Sequence, residues 1–125
     1  MGRKVEKAAI LCVDDTPAVL RTTELILQTA NYAVSTAATA DDARWLLKSR
    51  HFDLILLDCV PEHERVVQEA RRGNPHVRIA VITGNPALRD VPFVDVVLHK
   101  PILPPLLLTE IAELLSNPTA ASKAA

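Results

Sequence analysis

Four apolar runs in this chain stop on, or just before, a residue that can do chemistry. Asp14 and Asp15 follow the run 8–13, Asp58 closes 53–58, Thr83 follows 77–82, and Lys100 lies just past 93–98. Each alone is an ordinary helix cap or turn residue. Together they are three carboxylates, one hydroxyl and one ammonium, with a local charge of about −2, and carboxylates ~4 Å apart at an effective dielectric near 20 repel by roughly 4 kcal/mol per pair. Such a cluster asks for a divalent cation. Its donors are few and all oxygen, which matches Mg²⁺ retaining several of its waters, and no imidazole or thiolate stands at a spacing that points to zinc. A dication there draws a phosphoryl group and offsets charge developing on its oxygens. Lys100, a flexible point charge, can pair with another phosphoryl oxygen, and Thr83 supplies a hydroxyl donor. Asp58 stands alone at the end of its run and is the natural nucleophile, forming an aspartyl phosphate.

These residues meet only if the runs are parallel strands. The runs 8–13 and 53–57 are nearly continuous, which indicates burial on both faces of a sheet, while 32–37 is less apolar and suits an edge. Segments of helical period alternate with the runs. The first helix, 17–30, has Pro17 in its first turn with Thr16 or Asp15 as cap. Its polar stripe, Arg21, Glu24 and Gln28, leaves Ala18, Val19, Leu25 and Ile26 for the sheet, with Leu20 and Leu27 on a flank beside the stripe. A helix over 40–50 buries Ala43, Leu46 and Leu47 and turns Trp45 to solvent. A third helix, 62–72, meets the stop signal Gly73-Asn74-Pro75. Only 83–92, carrying Pro86 and Pro92, separates the fourth run from the fifth, room for about one and a half helical turns. The last helix, from Pro104-Pro105 to Ser116, carries Leu107, Leu108, Ile111, Leu114 and Leu115 on a wide stripe with Leu106 outside it. With the fifth strand it offers a candidate surface for a partner or a homodimer. Alternation of this kind gives an α/β fold with a parallel sheet, right-handed crossovers and helices on both faces. Its ligand site lies outside the carboxyl ends of the strands.

Composition bounds the rest. The chain has 125 residues, 14 Lys+Arg against 15 Asp+Glu, and 49% hydrophobic residues of which aromatics make only 3%. That is one small core of Val, Ile, Leu and Ala, expected over 8–116, with an extension at 1–7 and a flexible tail at 117–125. A net charge of −1 and four aromatics argue against direct nucleic-acid binding, which needs a basic face or a stacking platform. Cys12 and Cys59 make no disulfide scaffold and are read as reduced thiols. The run 8–13 is too short for a signal-peptide core, no segment suits a membrane, and a cytoplasmic protein is the expectation.

Ile10-Leu11-Cys12-Val13-Asp14-Asp15, Asp53-Leu54-Ile55-Leu56-Leu57-Asp58, Thr83-Gly84 and Lys100-Pro101, in that order, resemble a response-regulator receiver domain over about residues 8–116. The resemblance implies a flavodoxin-like, doubly wound sheet of five parallel strands in the order 2-1-3-4-5. It implies phosphotransfer to Asp58 with Mg²⁺ from a histidine kinase or phosphotransfer protein, and slow autodephosphorylation. By the same resemblance Asp15 and Asp58 ligate Mg²⁺ directly, Asp14 through water and Val60 through its backbone carbonyl. Thr83 is then the switch hydroxyl, Lys100 the phosphate partner, Lys100-Pro101 a cis bond, and Leu20 and Leu27 contacts for kinase helices.

The chain departs from that family in two places. The loop Asp58-Cys59-Val60-Pro61-Glu62-His63 is one residue tighter than usual and lacks a glycine, and Val97 stands where the family carries its switch aromatic. Val60 and Asn85 occupy positions that tune the dephosphorylating water in the family, and an apolar Val60 suggests slower hydrolysis. The expectation is a stand-alone receiver that passes its signal to an unknown downstream protein by contact or phosphorelay. The alternative is a receiver-shaped scaffold that binds partners without phosphate. A haloacid-dehalogenase-type phosphohydrolase would want Asp-x-Asp-x-Thr, a spacing that Asp14-Asp15-Thr16 lacks.

Overall fold

A strand that is apolar at every position needs cover on both faces, and this chain supplies it by alternating strand with helix. The computed structural model describes residues 7–58 and 61–116. Along the chain run β1 (Ala9–Val13), α1 (Pro17–Thr29), β2 (Ala33–Ala37), α2 (Ala40–Ser49), β3 (Leu54–Asp58), α3 (His63–Gly73), β4 (Arg78–Thr83), β5 (Val96–His99) and α4 (Pro104–Ser116). All strand pairs are parallel and the sheet order is β2-β1-β3-β4-β5. Of the expected extension at 1–7 only Lys7 is described, and the expected tail at 117–125 lies outside the described residues.

Successive residues of a strand point to opposite faces, so each central strand feeds two cores. Leu11, Val13, Ile55, Leu57, Ile79 and Val81 pack under α2 and α3, against Ala40, Ala43, Val66, Val67 and Ala70. Ile10, Cys12, Leu54, Leu56, Ala80 and Ile82 pack under α1 and α4, against Leu20, Leu27, Leu107 and Ile111. β2 is the expected edge, and Trp45 is solvent-facing at 65% exposure.

Two expectations are corrected. In α1 the sheet face is Leu20 and Leu27, both buried, whereas Val19 and Leu25 are 41% and 46% exposed. Of the polar stripe, Arg21 and Gln28 are exposed, while the Glu24 side chain is only 20% exposed and accepts from Arg21 at 2.7 Å. Leu27, fully buried, therefore cannot serve as a contact for kinase helices, and Leu20 reaches only the wall of the groove beside the site. The second correction concerns the β4–β5 connection. It forms turns and no helix, and β5 starts at Val96, not Phe93. Phe93 sits in the left-handed region (φ 66°) and is 77% exposed. Arg71 of α3 straps this segment down, its guanidinium donating to the carbonyls of Phe93 at 3.0 Å, Pro75 at 3.1 Å and Val77, and to Asp95 Oδ2 at 3.0 Å. Val91 and Val94 fill against the core where a helix would otherwise lie.

Candidate functional site

Five parallel strands bring five carboxyl ends to one edge. Asp14 is the first residue past β1 and is 7% exposed; its N–H donates to the Ala37 carbonyl at 3.1 Å, and its Oδ1 accepts the Thr16 N–H at 2.9 Å. Asp15 is exposed, with the Thr16 hydroxyl 3.5 Å from its Oδ1. Asp58 closes β3, the central strand, and Lys100 Nζ stands 2.6 Å from its Oδ2. Thr83, 4% exposed, closes β4; its Oγ1 accepts the Asn85 N–H at 3.0 Å, and its carbonyl accepts the Lys100 N–H at 2.8 Å. That last bond fixes Lys100 one residue past His99, the register partner of Thr83, and the Lys100-Pro101 peptide is cis. The edge thus draws Asp14, Asp58, Thr83 and Lys100 together. Val60 and Cys59 lie outside the described residues.

The electrostatics follow from that crowding. Burial pushes the Asp14 carboxyl above the ordinary carboxylate range; the Thr16 N–H works against this, and the hydrogen bonding and like charge of Asp58 add to it. Lys100 is pushed up, chiefly by its hydrogen bond to Asp58. The Cys12 thiol on β1 is pushed up to about 12 by burial, with Glu24 and Asp14 adding. Among the described residues no three His, Cys, Asp or Glu side chains are gathered as a metal cluster; Lys100 holds Asp58, and Asp15 acts on Lys100 only through its charge. The donor chemistry nevertheless fits Mg²⁺: the neighbouring Asp14 and Asp58 carboxylates carry more negative charge than Lys100 offsets, and an ion that keeps most of its waters needs few protein oxygens.

A family model, the response regulator receiver domain, matches residues 10–112. The chain belongs to that family. The receiver is similar to the "Alginate biosynthesis transcriptional regulatory protein AlgB" of Pseudomonas aeruginosa, with 34% identity over 86 residues, 66% of this chain and 19% of that protein. It therefore spans about a fifth of the length of that relative. Among solved structures it resembles a CheY-like response regulator receiver domain protein of Methanospirillum hungatei, with a TM-score of 0.81, 29% identity, and coverage of 96% of this chain and 100% of that one. It also resembles the response regulator TrrA of Thermotoga maritima in complex with Mg²⁺-BeF, with a TM-score of 0.77, 25% identity, and coverage of 86% and 98%. Phosphorylation and Mg²⁺ are general to this family.

The receiver has features its sequence did not announce. A groove of about 820 Å³ runs from Asp14, Asp58 and Lys100 along α1 to the β5–α4 connection, walled by Ala18, Val19, Ile26, Ile102 and Pro104. Ala18, Val19, Leu20 and Ile26 of α1 form one wall of it, while Leu27 is packed into the core beneath. The apolar excess of α1 was the available signal, read on the wrong face. On the far side of the site, His99 Nε2 stands 2.6 Å from the Leu88 carbonyl and ties the β4–β5 connection to β5. Nothing in the sequence marks that bond. Among the described residues no helix is long and apolar enough to cross a membrane.

Proposed function

We propose that Asp58 accepts a phosphoryl group from a phosphohistidine of a histidine kinase or phosphotransfer protein, and that the loaded domain, acting in the cytoplasm, signals by protein contact or by passing the group on. An Asp58 carboxylate oxygen attacks phosphorus, the phosphorus–nitrogen bond breaks, and the donor imidazole leaves with its electron pair. The observation that carries this reading is Asp58 at the end of the central strand, held at 2.6 Å by Lys100 beside a buried second carboxylate. Lys100 moves from the Asp58 carboxylate to a phosphoryl oxygen as charge transfers, and Thr83 donates its hydroxyl to another. The carboxylates of Asp14, Asp15 and Asp58, with the backbone carbonyl of Val60, would hold Mg²⁺, which when bound offsets charge on the phosphoryl oxygens.

The partner docks a helix along the groove beside the site. The apolar walls of the groove end at Asp58, so a helix lying there brings its histidine side chain to the carboxylate. Acetyl phosphate with Mg²⁺ tests the acceptor directly: an acid-labile, hydroxylamine-sensitive adduct on wild type that is absent from Asp58→Asn supports it, and an adduct of equal yield on both overturns it. A second reading, a scaffold that signals without phosphate, is favoured by the helix-free β4–β5 connection and by Val97 in β5. It gains if partner binding is unchanged by Asp58→Asn.

A further inference from the structure

The groove beside the site is deeper and more apolar than the transfer of a phosphoryl group requires. α1 and α4 cover the same face of the sheet, and between them the groove reaches down to Cys12 of β1, Leu56 of β3 and Ile82 of β4. Small residues on α1 leave it room: Ala18 stands in the first turn, just past Asp14 and Asp15 in the chain, and Thr22 spends its hydroxyl on the Ala18 carbonyl at 3.0 Å. Half-buried Ile26 lies two turns further along the same wall. Among the described residues that line the groove only Asp14, Asp58 and Lys100 are charged, and Lys100 is bonded to Asp58 at 2.6 Å, so the charge is gathered at the site. An apolar cavity of about 820 Å³ with a few convergent polar groups has the size and lining of a small-molecule site.

A molecule that fills this space has a phosphoryl head where Lys100 and Thr83 gather and an uncharged, apolar tail, since a charged tail meets no opposite charge along α1. From Ala18 to Ile26 the helix rises about 12 Å, the length of an extended acyl chain of about eight carbons. We propose that the groove is an acyl-chain subsite, and that Asp58 takes its phosphoryl group from acyl phosphates of this chain length in preference to short ones. An Asp58 carboxylate oxygen attacks phosphorus, the bond between phosphorus and the acyl oxygen breaks, and the fatty carboxylate leaves with the electron pair. The products are the aspartyl phosphate and the free carboxylate, with no further reactant. This deepens the acceptor reading of Asp58 and rests on it.

The test uses the full chain with Mg²⁺ and the series acetyl, butyryl and octanoyl phosphate, each below the concentration at which it forms micelles, and reads the second-order rate of Asp58 labelling by intact-protein mass spectrometry. The leaving carboxylates are acids of nearly equal strength, so a difference in rate reports the tail and not the bond that breaks. A fully buried methylene is worth about fourfold in binding, a half-covered one about twofold, and the six extra methylenes of octanoyl over acetyl phosphate give roughly 60-fold. Two variants close the subsite by opposite means. Thr23→Phe fills the groove without adding polarity, Ile26→Asn leaves space but wets it, and in each the octanoyl-to-acetyl ratio should fall to near one. Equal rates with acetyl and octanoyl phosphate on wild type, or the wild-type ratio retained in either folded variant, overturn the subsite alone. Wild type labelled by none of the three donors overturns the acceptor reading and the subsite with it.

Discussion

Replacing Asp14 by Asn should make the metal-free protein more stable, because this carboxylate is held where its charge is unwelcome. It is 7% exposed and its nearest ionic neighbour is another carboxylate. Asn has the same shape and keeps an oxygen to accept the Thr16 N–H seen at 2.9 Å, so the packing and the turn survive. Two carboxylates at ~4 Å and an effective dielectric near 20 repel by roughly 4 kcal/mol. Lys100, bonded to Asp58 at 2.6 Å, cancels a large share of this. A net gain of about 1–2 kcal/mol remains, which for a domain of this size raises Tm by about 3–8 °C. The pH dependence has a definite sign. The folded Asp14 binds its proton more readily than the unfolded one, so its stabilising share is complete below the unfolded value of 3.8 and is lost as pH rises through the raised folded value. Above that value wild type is the weaker protein, and the gap to Asp14→Asn closes as pH falls toward 3.8. Mg²⁺ should reverse the order. An ion at a hundred times its Kd adds about 2.7 kcal/mol to a protein that binds it, and the variant should gain far less. Thermal unfolding of both proteins from pH 4 to 8, with and without Mg²⁺, checks each part. A variant equal to or weaker than wild type at neutral pH without metal would refute the electrostatic reasoning.

Arg71→Ala should cost about 3 kcal/mol in chemical denaturation, because it removes the cation from the 8%-exposed Asp95 side chain and releases the carbonyls of Phe93, Pro75 and Val77. A loss under about 0.5 kcal/mol, the level of a surface pair, contradicts the strap. Lys100→Ala should leave phosphodonor labelling of Asp58 largely intact while weakening partner binding by the loaded form; unchanged partner binding contradicts the role given to the ammonium. Leu103, just before α4, and Leu106, in its first turn, are 71% and 53% exposed, and the homodimer expected on α4 and β5 would cover them. Sedimentation with and without beryllofluoride should show a dimer in the loaded state, and a strict monomer in both states removes it.

The sheet was legible in the sequence because its signal is strong and local. Two apolar runs without a polar interruption had to lie centrally, β2 with Ser35 and Thr36 had to lie at an edge, and the polar residues ending the runs had to gather once the strands were parallel. Asp14, Asp58, Thr83 and Lys100 were found in this way. The sheet face of α1 was not, since a helix with apolar residues on three sides does not state which side the sheet takes; Leu20 and Leu27 won by reaching Leu56 and its neighbours. The start of β5 was misplaced because Phe93 and Val94 look like strand residues, while the Arg71 guanidinium, distant in sequence, holds that stretch as a turn through the Phe93 carbonyl and the Asp95 carboxylate. The His99 bond to Leu88 joins a side chain to a carbonyl, a pairing with no residue pattern to betray it.

Intact-protein mass spectrometry after exposure to phosphoramidate and Mg²⁺ reads whether Asp58 takes the phosphoryl group. Wild type should carry a single phosphoryl group, mapped to Asp58 and missing when Mg²⁺ is chelated or Asp58 is changed to Asn. Wild type that remains unmodified, or Asp58→Asn modified to the same extent, would contradict it.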